Sequence, residues 1–419
     1  MMNLKSELTK IAKGAKEASG VLSGLSLETK DKALQGMAEG LIQAKDKILK
    51  ANQKDIKEAR NSGLSAALIE RLTLNEKRLA QMAESLLELT KLADPVGEVI
   101  SAWRRPNGLW IHKVRVPIGV IAIIYESRPN VTSDCIGLCF KSGNSVILRG
   151  GSESLNSNIR IYEILNAVLA KFGIPEGAIN LVMVKDRKAV DVLLRLSDYI
   201  DLVIPRGGEG LIRRVVRLSR IPVIKHYKGI CHVYVDEFAN LDMAAKICFN
   251  AKVQRPGVCN AMESMLVHQA VAGRFLPGML KKFDGAGVEI RGCSLTQKFF
   301  KKAKKACEKD YRTEYLDLIL SVRVVEGLPE AINHINHYGS HHSDSIVTDN
   351  YEHALGFLKK VDSACVYANA STRFTDGYQF GLGAEIGIST DKLHARGPMA
   401  LEELTTYKYM IFGSGQIRE

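Results

Sequence analysis

The sequence predicts an α/β fold with two parallel-sheet domains, and three observations carry that expectation. Residues 3 to about 93 repeat apolar side chains at spacings of three and four, the period of an amphipathic helix. Beyond them, continuous apolar runs of strand length alternate with helical stretches, as strands buried on both faces do. Two runs, "GLWIHKVRVP" (108–117) and "TTYKYMIFG" (405–413), alternate apolar with polar residues instead, which marks strands with two unlike faces.

In the helical region the pattern runs through Leu22, Leu25, Leu27, Ala33, Leu34, Met37 and Leu41. Ser26 with Glu28 and Thr29 reads as one helix start, and Thr73 with Glu76, a Thr-x-x-Glu capping box, as another. A Pro-Val-Gly turn at 95–97 closes the region. The buried strands begin with "IGVIAIIYE" (118–126) and continue with "NSVILRGG" (144–151), "INLVMV" (179–184), "DLVIPRGG" (201–208) and "PVIKH" (222–226). Helical stretches lie between them over Ser157 to Phe172 and Lys188 to Leu196. Strand, helix and strand at this spacing imply a parallel sheet with right-handed crossovers. A second series follows: "CHVYVD" (231–236), "SMLVHQ" (264–269), "VEIRG" (288–292), "LILSVRVV" (318–325), "SDSIVTD" (343–349) and "ACVYANA" (364–370). Asp242 to Val253 reads as a helix within it, and Lys298 to Lys305 as an amphipathic helix with a solvated lysine face.

At 419 residues the chain has room for two or three domains. Its 46% apolar and 25% charged content is that of a soluble globular protein. With Lys5, Glu7, Lys10, Lys13 and Lys16 and no apolar core among the first residues, no signal peptide is expected there. The longest apolar run, Val116 to Tyr125, is far shorter than the roughly 20 residues that cross a bilayer, so no membrane association is expected. The eight cysteines form no Cys-x-x-Cys pair, and no His or Cys cluster completes a zinc site around Cys135 and Cys139. Reduced thiols in a cytoplasmic protein without a metal are the expectation. The net charge of +12 comes with no nucleic-acid module and only 6% aromatics. An anionic small substrate or a phosphorylated cofactor suits that charge as well as nucleic acid does.

No G-x-G-x-x-G fingerprint follows the first strand, and "GLGAEIG" (381–387) has its third glycine one place late, so it reads as a loop. Gly150 and Gly151, and Gly207 and Gly208 in "PRGGEG" (205–210), follow strands and lead into helices. Each pair reads either as a set of N–H groups facing a phosphate or as a tight βα turn. Cys259, in "VQRPGVCNAME" (253–263), follows a helical segment and a Pro-Gly turn, with Arg255 beside it. A helix terminus and a guanidinium lower a thiol's pKa and make a nucleophile, whereas a lone cysteine otherwise behaves as a small buried apolar residue. The residues alone leave both readings open.

Longer blocks add to this. "VQRPGVCNAMESMLVH" (253–268), "VPIGVIAIIYESRPNVTSD" (116–134), "KSGNSVILRGGSES" (141–154), "DLVIPRGGEGLIRRV" (201–215), "IPVIKHYKGICHVYVD" (221–236) and "GLGAEIGISTDKLHARGPMALEELTTYKYMIFG" (381–413) resemble, in order and over nearly the whole chain, the γ-glutamyl phosphate reductase family of the aldehyde dehydrogenase superfamily. The resemblance implies an aldehyde-dehydrogenase-like fold. In it, 1–98 and 118–228 form the NADPH-binding domain, 229–398 the catalytic domain, and 99–117 with 399–419 a protruding β oligomerisation arm. It implies reduction of L-glutamate 5-phosphate by NADPH to glutamate 5-semialdehyde with release of phosphate, the second step of proline biosynthesis. Cys259 takes the place of the family's nucleophile, passing through a thioester.

Oxyanion donors implied are the Cys259 N–H and Asn130, although the superfamily's asparagine stands two places earlier, where this chain has Arg128. Arg128 and Arg255 are candidates for the substrate's anionic groups, or for surface ion pairs. Arg149 follows a strand where relatives bind the adenosine ribose and is suited to a 2′-phosphate. Glu314 resembles the glutamate that holds the nicotinamide ribose, and Gly207 and Gly208 join the cofactor set. The stretch "KHYKGICHV" (225–233) has Lys225, His226 and Lys228 where hydrolytic relatives place a water-activating glutamate. A homodimer or higher homo-oligomer and contact with glutamate 5-kinase are the partners implied. The competing readings are a coenzyme-A-type acylating aldehyde dehydrogenase, a basic nucleic-acid-binding protein and an inactive scaffold.

Overall fold

The structure, a computed structural model, describes residues 4–418 with the exception of Ser127. The N-terminal helices are Leu4–Leu22, Leu27–Gln43, Lys45–Asn61, Ala66–Leu72 and Glu76–Leu89. Ser26 caps the second of them, its Oγ accepting from the Thr29 N–H at 3.2 Å. The expected start at Thr73 is corrected to Asn75, whose Oδ1 accepts from the Arg78 N–H at 2.8 Å. Thr73 instead closes the preceding helix: its N–H and hydroxyl both donate to the Ile69 carbonyl. A hydroxyl turned back in this way cannot cap forward, and asparagine is at least as good an N-cap as threonine.

Among the described residues, a four-stranded sheet follows in the order Ile179–Leu181, Ser145–Arg149, Val120–Tyr125 and Leu202–Arg206, all parallel. Every residue of Val120–Tyr125 is buried, which explains its unbroken apolar run. Leu8, Ala12 and Ala15 of the first helix pack with Val120, Ala122 and Ile147 in one core. The expected strand at 222–226 is corrected to a single bridge between Val203 and Val223. The Val203 N–H donates to the Pro222 carbonyl and the Ile224 N–H to the Val203 carbonyl, but the next residue in register, Pro205, has no N–H to give to Ile224, so the ladder stops there. The chain visits one side of Val120–Tyr125 and then returns on the other. Such a reversal opens a crevice at the carboxyl ends of the strands.

A second, seven-stranded sheet runs Lys304–Lys305, Glu289–Gly292, Ile319–Val325, Met262–His268, Cys231–Val235, Ser343–Val347 and Cys365–Ala368, again all parallel among the described residues. The helix expected over Lys298 to Lys305 covers only Ser294–Phe299. Lys304 and Lys305 pair with Arg291 and Gly292 at the sheet edge, and that pairing ends the helix; the lysines are solvated as expected. A third sheet is antiparallel: Val99–Arg104, Trp110–Pro117 and Thr405–Phe412, with Thr405 opposite Pro117 and Phe412 opposite Trp110.

The chain divides into two compact units. One comprises residues through Lys225 with Gly381–Gly387 and the stretch from Met399 onward; the other is His226–Phe380 with Ile388–Pro398. Residues 381–387 therefore group with the first unit and not with the rest of the expected catalytic domain, 229–398. Arg206 donates to the Glu385 carbonyl at 3.3 Å, the Ile386 N–H donates to Met399 at 2.9 Å, and Gly383 packs on Leu92. Among the described residues, no helix is long and apolar enough to cross a membrane.

Candidate active site

In the second unit, Cys259 lies in the turn between the helix Leu241–Val253 and the strand Met262–His268. It is half-buried, whereas Cys135, Cys139, Cys231, Cys248 and Cys365 are buried. Burial pushes the Cys135 thiol up to about 12 and the Cys139 and Cys231 thiols well above the ordinary range. Those groups stay protonated and are poor nucleophiles.

The Cys259 backbone is fixed from two sides. The Cys231 thiol donates to its carbonyl at 3.2 Å. Gly229 lies so close that a Cβ there would fall 1.9 Å from the same carbonyl oxygen. The Gly229 N–H in turn donates to Glu314 Oε1 at 2.8 Å. Glu314 therefore orders the loop under the cysteine, a partner the sequence did not show.

The loop that carries Glu314 is itself anchored. Glu263 Oε1 accepts from the Leu316 N–H at 3.0 Å, and its Oε2 receives Lys252 Nζ at 2.7 Å. Both side chains of this pair are fully buried. Burial pushes the Glu263 carboxyl up to about 7 and pulls the Lys252 ammonium down, while each charge favours the other. Breaking one partner of such a pair costs about 3–5 kcal/mol.

Arg373 was missed by sequence reasoning. It is half-buried in the short 3-10 helix Thr372–Phe374 that follows Cys365–Ala368, its Nε donates to Gln254 Oε1 at 2.9 Å, and its Nη1 donates to Asn260 Oδ1. It thus spans both ends of the Cys259 turn. Asn260 is held further by donation to the Thr375 carbonyl at 2.8 Å and by the Thr372 hydroxyl, which donates to its carbonyl. Arg255 is exposed, and its charge reaches Arg373. The structure thus brings Cys259, Arg255 and Glu314 together within this unit.

The remaining candidates lie in the first unit. Asn130 opens the helix Asn130–Lys141 and donates to Asp134 Oδ2 at 3.2 Å. Burial pushes the Asp134 carboxyl up to about 6 against the pull of the Asn130 and Ser85 hydrogen bonds. Arg128 sits half-buried just before that helix, and its carbonyl accepts from the Val131 N–H.

The crevice at the strand ends is a cavity of about 330 Å³ lined by Tyr125, Glu126, Arg149, Glu153, Arg187 and Arg214, among others. Arg149 donates to the Gly150 carbonyl at 2.6 Å and to the Lys185 carbonyl at 3.2 Å. Its Nε and the Glu153 Oε2 are buried without a hydrogen-bond partner among the described residues. Gly208 caps the helix Glu209–Leu218, but its N–H donates to Glu126 Oε2 at 2.9 Å. Gly207 packs against the same carboxylate. Of the amide groups that the sequence offered to a phosphate, that of Gly208 is held by Glu126, while Gly151, Gly210 and Leu211 line the crevice.

The sequence matches the aldehyde dehydrogenase family over residues 3–290. It is 60% identical over 408 residues to a γ-glutamyl phosphate reductase of Caldanaerobacter subterraneus subsp. tengcongensis, covering 97% of this chain and 99% of the relative. It is 57% identical over 418 residues to that of Thermodesulfovibrio yellowstonii, covering 100% of both. The crystal structure of γ-glutamyl phosphate reductase from Thermotoga maritima superposes with a TM-score of 0.97 at 48% identity, covering 99% of this chain and 100% of that one. An acetylating aldehyde dehydrogenase from Geobacillus thermoglucosidasius, at 15% identity and a TM-score of 0.68, covers 99% of this chain and 98% of its own, and shares the fold.

Proposed function

The chain belongs to the aldehyde dehydrogenase family and, within it, to the γ-glutamyl phosphate reductases, and from that premise we propose that it reduces L-glutamate 5-phosphate to L-glutamate 5-semialdehyde with NADPH in cytoplasmic proline biosynthesis. The observation that carries this reading is the Cys259 turn, a half-buried cysteine braced by Gly229 and spanned by Arg373.

The Cys259 thiolate attacks the acyl carbon, the C–S bond forms, and the bond to the phosphate oxygen breaks. On this reading the Cys259 N–H donates to the oxyanion that develops. Glu314, through Gly229, keeps that backbone from shifting. A bound nicotinamide supplies the hydride that reduces the thioester to the aldehyde, and the thiolate is regenerated.

The first unit's crevice suits the nucleotide. Its position at the sheet reversal is where α/β folds bind one. Arg149, Arg187 and Arg214 give it the positive charge a 2′-phosphate needs, although Arg214 also pairs with Asp191 at 2.9 Å. Arg149 has a buried Nε still to be satisfied, and the unpartnered Glu153 oxygen suits a ribose hydroxyl.

The experiment is NADP⁺ reduction with glutamate semialdehyde and phosphate. Cys259→Ala is expected to abolish it while leaving NADPH binding intact, and appreciable residual turnover would remove Cys259 from the role. Arg149→Ala is expected to narrow the preference for NADPH over NADH. Equal loss of affinity for both cofactors would make Arg149 structural.

A further inference from the structure

We propose that Arg373, backed by Arg255, is the residue that receives the departing phosphate beside Cys259. This rests on the reading above and assigns one more contact within it. Arg373 spans residues 254 and 260, the two ends of the cysteine's own turn, so its guanidinium is fixed relative to the thiol. Its hydrogen bonds run to the neutral side-chain amides of Gln254 and Asn260, and among the described residues it forms no ion pair with a carboxylate. A guanidinium held by neutral acceptors keeps its charge available for an anion. No hydrogen bond runs from its Nη2 among the described residues, so a donor remains for a phosphate oxygen.

Burial and the neighbouring Arg255 both disfavour the charged form, while Cys259 and Asp376 favour it. Two like charges near a nucleophile are a poor arrangement for an empty site and a good one for a doubly charged ligand.

Of the substrate's two anionic groups, the phosphate is the one joined to the reacting carbon. The α-carboxylate lies at the other end of the glutamyl chain. When the thiolate forms its C–S bond, the electron pair of the breaking C–O bond leaves on the phosphate oxygen, which then takes a proton from solvent. Arg373 stabilises the charge that builds on that oxygen. In the reverse direction it holds phosphate for attack on the thioester.

The test compares wild type, Arg373→Gln and Arg373→Lys in two assays. In the first, NADP⁺ reduction is followed with glutamate semialdehyde and varied phosphate. Arg373→Gln is expected to raise the KM for phosphate about tenfold or more with little change in the KM for semialdehyde, and Arg373→Lys to recover part of the loss.

The second assay needs no turnover. Cys259 is alkylated with anionic iodoacetate or neutral iodoacetamide, and the Cys259 peptide is quantified by mass spectrometry, with the Cys293 and Cys307 peptides as internal controls. The iodoacetate-to-iodoacetamide rate ratio is expected to fall about tenfold in Arg373→Gln, and protection by inorganic phosphate to disappear. Equal slowing of both reagents with an unchanged phosphate KM would reduce Arg373 to a brace and overturn the proposal. A raised KM for semialdehyde alone would assign it to the α-carboxylate and overturn it too. If no variant or wild type turned over semialdehyde, the reductase reading would fail, while the alkylation ratio would still decide whether Arg373 holds an anion at Cys259.

Discussion

At the scale of single residues, the cysteine depends on a glycine that looks ordinary in the sequence. Gly229 has no room for a β-carbon because the Cys259 carbonyl occupies that space. Gly229→Ala must push the cysteine's peptide outward, and misplacement by about 1 Å costs on the order of a hundredfold in rate. The expected result is a kcat lower by about that factor, with stability reduced by only about 1–3 kcal/mol, read from steady-state rates beside denaturant unfolding. An unchanged kcat would show that the turn tolerates the shift. Cys259 was singled out because the block around it resembles the family's active-site segment; its own setting, after a helix and a Pro-Gly turn and close to an arginine, left a buried thiol open as well. Gly229 and Arg373 were not, since their roles come from contacts spanning 30 and more than 100 residues of chain. Likewise nothing near Gly208 announces that Glu126, 82 residues earlier, takes its N–H.

At the scale of elements, the strands buried on both faces were the legible ones, because burial dictates their composition as well as their shape. Val99–Arg104 escaped notice as a separate strand: all six of its residues are exposed, so no burial pattern was imposed on its sequence. The antiparallel sheet it joins leaves large apolar side chains in solvent, among them Trp110, Tyr409, Ile411 and Phe412. The strand Thr405–Phe412 is an edge with unpaired backbone groups, and edges of this kind invite another strand. A second copy of this chain is the occupant that family membership favours, by strand addition. Deleting residues 405–419 is therefore expected to yield monomer or aggregate, where the intact chain gives a homo-oligomer by light scattering. A soluble, fully active monomer after the deletion would exclude the arm from assembly.

At the scale of the whole molecule, the enzyme is expected to reduce without hydrolysing. The stretch from Lys225 to Val233 carries two lysines and two histidines but no carboxylate, and the nearby Glu314 holds the Gly229 N–H. With glutamate semialdehyde and NADP⁺, NADPH should form only when phosphate is present, and free glutamate should not accumulate. Phosphate-independent NADPH with matching glutamate would reveal a water-activating base. The first unit, finally, is assembled from three separated stretches of chain, and this has a kinetic consequence. Arg115 meets Glu402 across 287 residues, and the strand beside it must wait for that return. Contacts so distant in sequence close slowly, because the loop entropy is lost before any pairing compensates it. The second unit, most of it one continuous stretch between those partners, has time to fold first. Until Thr405–Phe412 docks, the strand Trp110–Pro117 stays open on one side, and a refolding chain is most prone to stick to its neighbours during that interval. Refolding yield should therefore fall with protein concentration through this late step, not through the collapse of either parallel sheet.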